Sequence, residues 1–405
     1  MSRLTQAQKI ESENEQQALE FFQQMLAVLP DPRRAQGRRY PLVSVVVIAL
    51  MAMVCGADDA ESMELWGNAN KAWLSTFLDL PHGVPSQDVF LAVFSALDPE
   101  SLSRVMRSWA ALLIARLPEN GKHIAVDGKT SRRSFDKAKG QPAIHTVSAF
   151  LSNMGLVLGE IKTAAKSNEI TAIPELLKQL NLRGSTITID AMGCQTGIAK
   201  TIIKGQGEYV LAVKENQPTL YQDIAKTFEE AADERVRTID EQQRPKTEQV
   251  GEIDKNHGRL EERIVKICHD LSWLTSASNW VNLAYLVEVT RKRTILSTGN
   301  TSVEVSYYIG SEAQVTASQV AQTIRRHWSI ENELHWVLDI AFREDEARHR
   351  AKNTAQNMTI LRHFALNIVK QDKTRKLGVP NSRRRAGWDR DYLLHLLHSG
   401  ANVLN

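Results

Sequence analysis

The chain has 405 residues, with 50 Lys and Arg against 47 Asp and Glu, a formal net charge of +3 and 42% hydrophobic residues. That length accommodates two or three domains, each with its own core, and the composition excludes disordered and fibrous classes. Bulk charge is too small to mark a nucleic-acid binder, so local clusters have to carry that argument.

Cys55, Cys194 and Cys268 lie far apart, an odd count with no Cys-x-x-Cys pair. This usage points to a reducing cytoplasm and away from a zinc finger or disulfide framework. The Gln- and Glu-rich start lacks the charged-then-apolar order of a signal peptide. The long apolar run from Leu42 to Cys55, at about fourteen residues, is shorter than the ~20 that a bilayer needs, so a core helix is expected.

Residues 1–118 read as a helical N-terminal domain. An amphipathic stretch from Gln16 to Leu29 is broken at Pro30-Asp-Pro, and a basic connector, Gly37-Arg-Arg-Tyr-Pro41, precedes the apolar helix. Ser86 and Asp98-Pro-Glu100 are start signals for two further helices. Short helices around turns are compatible with a helix-turn-helix DNA reader and equally with a plain packing domain.

From Lys122 the texture becomes strand-like. Ile124 to Val126 is a β-branched and small apolar run that stops on Asp127-Gly128, a buried strand followed by a tight turn. Asp-Gly is also a favoured hairpin turn, so this feature is ambiguous alone. A second copy of the pattern strengthens the strand-end reading: Ser185-Thr-Ile-Thr-Ile189 again closes on an acid, Asp190, before a helix from about Thr196 to Lys204. Asp190 as a mere helix cap is the competing reading, although several residues separate it from that helix. Two strands that each deliver an aspartate at their carboxyl end make an acidic pocket, costly unless a cation sits in it. Strands at 143–150, 156–163 and 209–213, a hairpin turn at Asn153-Met-Gly155 and helices at 170–180 and 219–232 complete an α/β sheet with helices on its faces.

Residues 235–312 read as a mostly β insertion, opening with a polar stretch at Asp240 to Lys246 and carrying strands at 260–268, 281–290 and 303–309. Residues 119–234 and 313–370 are thus two parts of one catalytic domain. Thr316 to Phe342 reads as one long helix with Ile324, Trp328, Leu334, Val337, Leu338 and Ala341 on or near one buried face. Glu331 beside that face is expected to be paired, protonated or metal-bound, and so to be the third acid of the pocket. His327, Glu331 and His335 share four-residue steps, but ligands spread over about 12 Å of helix axis are too far apart for a single ion. A polar helix from Asn353 to Lys370 precedes a basic C-terminal tail, 371–405, with Lys373-Thr-Arg-Lys376 and Arg383-Arg-Arg385. Such a tail is solvated surface or a DNA-backbone contact.

Asp127-Gly-Lys129, Ile189-Asp190-Ala-Met192, Val213-Lys-Glu-Asn-Gln217, His257-Gly-Arg259, His327-Trp-Ser-Ile-Glu-Asn-Glu-Leu-His-Trp-Val-Leu-Asp339 and Phe342-Arg-Glu-Asp345 together resemble the H-repeat-associated insertion-sequence transposases. The resemblance covers nearly the whole chain, including an N-terminal Asp31-Pro-Arg33. It implies a DDE recombinase with a ribonuclease H-like mixed sheet, flanking helices and Asp127, Asp190 and Glu331 as catalytic, metal-binding acids. A broader group carries Tyr, Arg, Glu and Lys around the third acid. Ile324, His327 and Leu338 stand at the corresponding spacings here, and Arg325 and Arg326 are the available substitutes as phosphate contacts.

Hard oxygen ligands suit two Mg2+ or Mn2+ ions, roughly 3.5–4 Å apart in two-metal sites, that activate water and stabilise the leaving 3′ oxygen. Lys129, Lys214 and Arg259 join Arg325 and Arg326 as nucleic-acid contacts, because loops at the carboxyl ends of strands face such a site. The implied partners are transposon-end and target DNA and a second protomer in a synaptic complex, with no membrane and no small-molecule cofactor. The implied location is the bacterial cytoplasm, at the nucleoid. Two rivals stay open: a ribonuclease H-like nuclease without strand transfer, and a catalytically silent DNA-binding protein derived from a mobile element.

Overall fold

The computed structural model describes residues 6–131, 133–135, 143–163, 169–232, 245–256, 258–272, 274–374 and 377–401. His257, most of the Asp240 to Lys246 stretch, and Arg375 and Lys376 of the basic run lie outside the described residues. Helices come first: α1 (Gln6–Leu26), α2 (Leu42–Val54), α3 (Ala60–Ala69), α4 (Lys71–Leu74), α5 (Gln87–Ala96) and α6 (Pro99–Ile114). Then follow β1 (Lys122–Thr130), β2 (His145–Leu151), β3 (Leu156–Thr163), α7 (Glu169–Leu177), β4 (Ser185–Ile189), α8 (Thr196–Lys204), β5 (Glu208–Val213) and α9 (Pro218–Ala232). The second half holds β6 (Thr247–Asn256), β7 (Arg259–Cys268), β8 (Tyr285–Ile295), β9 (Thr301–Gly310), α10 (Ala317–His327), α11 (Trp336–Ala341), α12 (Thr354–Lys370), α13 (Val379–Trp388) and α14 (Arg390–Ala401).

The strands form a mixed sheet in the order β3-β2-β1-β4-β5-β9-β8-β7-β6. β1, β4 and β5 run parallel, whereas β2 with β3 and the β5-β9-β8-β7-β6 run pair antiparallel. The first five strands have the order of the expected ribonuclease H-like core. The expected β insertion extends the same sheet through β9, and it includes β6, a strand absent from the sequence reading. β6 is exposed along almost its whole length, so it offers no alternating apolar signal to read.

The chain divides into two units: one of residues 1–117, 128–166 and 331–405, the other of residues 118–127 and 167–330. In the first, the apolar α2 is buried along nearly its whole length. Ala35–Val54 is long and apolar enough by composition to cross a membrane, but two-thirds of that stretch is buried within the fold. Phe22, Trp109 and Phe364 pack together, and the Trp109 indole donates to the Gly400 carbonyl at 2.9 Å.

Two expectations fail in this unit. The helix read as polar, now α12, is buried from Asn357 to Val369. Three of its polar side chains have defined partners. Asn357 donates to the carbonyls of Phe94 and Leu97, the Asn367 amide pairs with both backbone groups of Val157 at 2.8 Å, and His363 Nδ1 lies 2.9 Å from Glu160. Such pairing offsets the desolvation of each group. The basic tail is likewise no tail, because residues 379–401 form α13 and α14. Arg383 is 3% exposed, stacks on Phe342 and donates to the carbonyls of Met53 and Ala341 and to Asp58.

In the second unit, α10 opens with a capping box in which Thr316 and Gln319 satisfy each other's backbone N–H. Its Val320, Ala321 and Ile324 pack against Val265, Ile267, Val287 and Val289 of the sheet. Antiparallel β9 pairs with β5 only as far as Val213 and Tyr307. Residues 301–306, with their partners on β8, β7 and β6, therefore run on as a ribbon past the carboxyl end of β5, roughly 20 Å at about 3.3 Å per residue.

Candidate active site

Strand register places the first two acids. β1 and β4 pair in parallel, and the last aligned positions are Val126 and Ile189. Asp127 and Asp190 are the next residue on each chain, so both emerge at the carboxyl ends of neighbouring parallel strands. Both are partly exposed, whereas the apolar residues that precede them are buried.

The turn after Asp190 is built to hold its carboxylate. Asp190 Oδ1 accepts from the backbone N–H groups of Met192 at 3.1 Å and Gly193 at 3.3 Å, capping a short 3-10 turn, Ala191–Gly193. The capping reading of Asp190 was therefore correct in kind, although the capped element is this turn and not α8. Gly193 is required there, because a Cβ would stand 2.2 Å from Ile189 Cγ2. The β5–α9 loop braces the turn from the other side: Asn216 donates to the Ala191 carbonyl at 2.7 Å and Gln217 to that of Cys194 at 2.9 Å. The sequence reading missed these roles even though both residues stand in the Val213–Gln217 motif. Neither of these bonds uses Oδ2 of Asp190.

Beneath Asp190, Thr188 bridges two histidines. Its hydroxyl lies 3.1 Å from His123 Nε2 and 2.9 Å from His327 Nδ1. Burial, with help from His327 and Arg326, pushes His123 down to about 3. Burial also lowers His327, although Asp190 opposes it. Both rings are thus neutral at pH 7, and His327 has a structural partner in place of a metal.

The long helix expected from Thr316 to Phe342 is not continuous. α10 ends at His327, a π-helical turn spans Ile330–His335, and α11 begins at Trp336. Glu331 lies in that π turn and is exposed. Of the residues read as one apolar face, Ile324, Leu334, Leu338 and Ala341 are buried, whereas Trp328 is 43% exposed.

Lys129, expected on phosphate, is committed elsewhere. Its Nζ donates to Asp339 at 2.5 Å, to Glu344 at 2.8 Å and to the His335 carbonyl at 3.3 Å. Burial would raise the Glu344 carboxyl, but Lys129, Arg362 and His363 outweigh it and hold it at about 2. Arg325 is likewise paired, with Glu252 at 3.1 Å and Asp254 at 3.4 Å. Lys214, Arg259 and Arg326 are exposed and have no ion-pair partner among the described residues. Arg259 lies toward the far end of the ribbon, where it pairs with Asn256 and Ile295.

The structure therefore brings Asp127 and Asp190 together, while Glu331 belongs to the other unit. Among the described residues, no three His, Cys, Asp or Glu side chains are grouped as a metal site. Asp127 and Asp190 offer only carboxylate oxygens, which fit a hard divalent cation better than zinc or copper.

Comparison with known proteins identifies the family. A family model described as the transposase DDE domain matches residues 118–368, and one described as DDE_Tnp_1-associated matches residues 23–110. The chain is 36% identical to the "H repeat-associated putative transposase YhhI" of Escherichia coli K12 over 94% of its own length and 98% of that protein. It shows the same figures against the "Putative protein YbfL" of that strain. Among solved structures, a piggyBac transposase synaptic complex with hairpin DNA aligns over 95% of this chain and 77% of that one, at 11% identity. Its TM-score of 0.40 marks a likeness too loose to argue from. The family model over most of the chain and the near full-length relatives carry the assignment: this chain belongs to the DDE transposase family.

Proposed function

We propose that this transposase cuts phosphodiester bonds at transposon ends and joins the freed 3′ ends to target DNA, with Asp127, Asp190 and Glu331 as its acidic triad. The observation that carries the reading is the register of β1 and β4, which puts two aspartates at the same end of adjacent parallel strands in a DDE-family chain. The family carries a general dependence on divalent metal. Two ions, Mg2+ or Mn2+, held by the three acids would supply an activated water and a stabilised leaving 3′ oxygen.

The remaining steps belong to the chain itself. The 3-10 turn and its Asn216 and Gln217 braces fix the Asp190 carboxylate, so it does not have to be ordered when substrate arrives. Lys214 leaves the carboxyl end of β5 and Arg259 and Arg326 are exposed, so these three are the phosphate contacts we propose. Lys129 is withdrawn from that role because the buried Glu344 and Asp339 already neutralise it, and Arg325 is set aside because it pairs with Glu252 and Asp254 at the surface. A second protomer and assembly on paired ends belong to the same proposal.

The test is manganese-dependent nicking of a plasmid bearing the DNA that flanks the gene, with Asp127→Asn and Glu331→Gln beside the parent. Both substitutions should abolish nicking and leave DNA binding intact, since phosphate contacts come from other residues. Nicking at the parental rate in Asp127→Asn removes that residue from the triad.

A further inference from the structure

The π turn that carries Glu331 has a dedicated support. A π turn is an uncommon, strained interruption of a helix and persists where neighbouring groups hold it. Lys129 meets it at the carboxyl-terminal side, donating to the carbonyl of His335, its last residue, and to Asp339 one helical turn later. The third acceptor is Glu344. An ammonium group has three N–H donors, and here each has an acceptor.

Glu344 is itself anchored. It is almost fully buried, its other oxygen accepts from the Thr359 hydroxyl of α12 at 3.2 Å, and Arg362 and His363 of that helix add favourable charge. The residue before it, Arg343, adopts a left-handed conformation at φ +49, rare for a residue with a side chain. That conformation turns Glu344 inward while Arg343 pairs outward with Glu346. Backbone strain, a buried acid and a three-way lysine thus converge on one short segment.

We propose that Lys129 is a positioning residue for the transposition reaction: by bridging Glu344 to Asp339 and the His335 carbonyl, it holds the π turn in the form that presents Glu331. The proposal rests on the reading of Glu331 as a catalytic acid. Asp127 and Lys129 are two residues apart on β1, so one strand supplies both a triad acid and the support of the turn bearing another. The lysine touches no substrate in this account; it acts through Glu331.

The experiment uses the full chain. Lys129→Met leaves Glu344 buried without its lysine and risks unfolding, so Asp339→Ala, which removes the Asp339 acceptor and keeps the Lys129–Glu344 pair, is the decisive variant. In metal-free protein, hydrogen exchange of the peptide spanning residues 330–336 should quicken by ~10-fold or more, while peptides of α12 stay at the parental rate. Manganese-dependent nicking should fall by a similar factor, and Asp339→Ala combined with Glu331→Gln should be no worse than Glu331→Gln alone, as expected of groups acting as a unit. Unchanged exchange in the turn overturns the proposal alone. So does a loss spread evenly over the whole chain, which marks a purely structural ion pair. Full nicking in Glu331→Gln overturns the reading of Glu331 and, with it, the catalytic half of the proposal.

Discussion

Asp190 serves a turn and, in this account, a metal, and two substitutions separate those roles. Asp190→Asn keeps a side-chain oxygen able to accept from Met192 and Gly193, whereas Asp190→Ala removes both bonds. Loss of a capping acceptor costs about 0.5–2 kcal/mol. The lower half of that range applies here, because the two bonds are 3.1 and 3.3 Å long and the turn keeps its Asn216 and Gln217 braces. Urea unfolding in metal-free buffer should place Asp190→Ala about 1 kcal/mol below the parent and Asp190→Asn within ~0.5 kcal/mol of it. Nicking should show no such gradation. An amide is a poor ligand for magnesium, so both variants should lose activity by on the order of a thousandfold. Near-parental nicking in Asp190→Asn would show that the residue is only a cap, and the two-aspartate site would fall with it.

Other outcomes follow from particular contacts. Arg383→Ala strands Asp58 and the carbonyls of Met53 and Ala341 in the interior, which should cost about 3–5 kcal/mol and leave the salt dependence of DNA binding unchanged. Truncation after Leu377 should accordingly cost cooperative unfolding of the helical unit and not merely DNA affinity. Replacing Lys214, Arg259 or Arg326 by Gln should lower the salt slope of DNA binding by about one unit each, with unchanged melting. His123 and His335 are held at about 3 in the fold, chiefly by burial, and take up protons near 6.5 when unfolded. The unfolded state then binds more protons over that window, so stability should decline as pH falls from about 6.5 toward 3, with a slope of up to about 1.4 kcal/mol per pH unit for each ring. His123→Asn should flatten the urea-midpoint profile across that window.

The strand-end acids were legible in the sequence because a β-branched run that stops on Asp encodes both a buried strand and the place where it surfaces. The hairpin turn at Asn153–Gly155 and helix α8 were legible for the same local reason. Features that depend on distant partners were not. Lys129 reads as a basic residue after a strand, and its acceptors Asp339 and Glu344 lie some two hundred positions away. α12 reads as polar because Asn357, His363 and Asn367 reveal nothing of the carbonyls and the acid that satisfy them. Arg383 counts as surface charge until Met53, Asp58 and Phe342 close around it. The π turn left no compositional trace, since an apolar pattern records which residues face a core and not a single inserted residue between them.

The most direct test of the central claim is a joining reaction. A duplex carrying the DNA that flanks the gene, with a free 3′ hydroxyl at the element end, is incubated with a supercoiled target plasmid, manganese and the purified chain. The account predicts a covalent joint between that 3′ end and the plasmid. The joint should be absent without metal and absent with Asp127→Asn, Asp190→Asn or Glu331→Gln. Metal-dependent nicking of the flanking DNA with no joint product would contradict strand transfer and leave a nuclease, and joining that survives Asp127→Asn would contradict the triad itself.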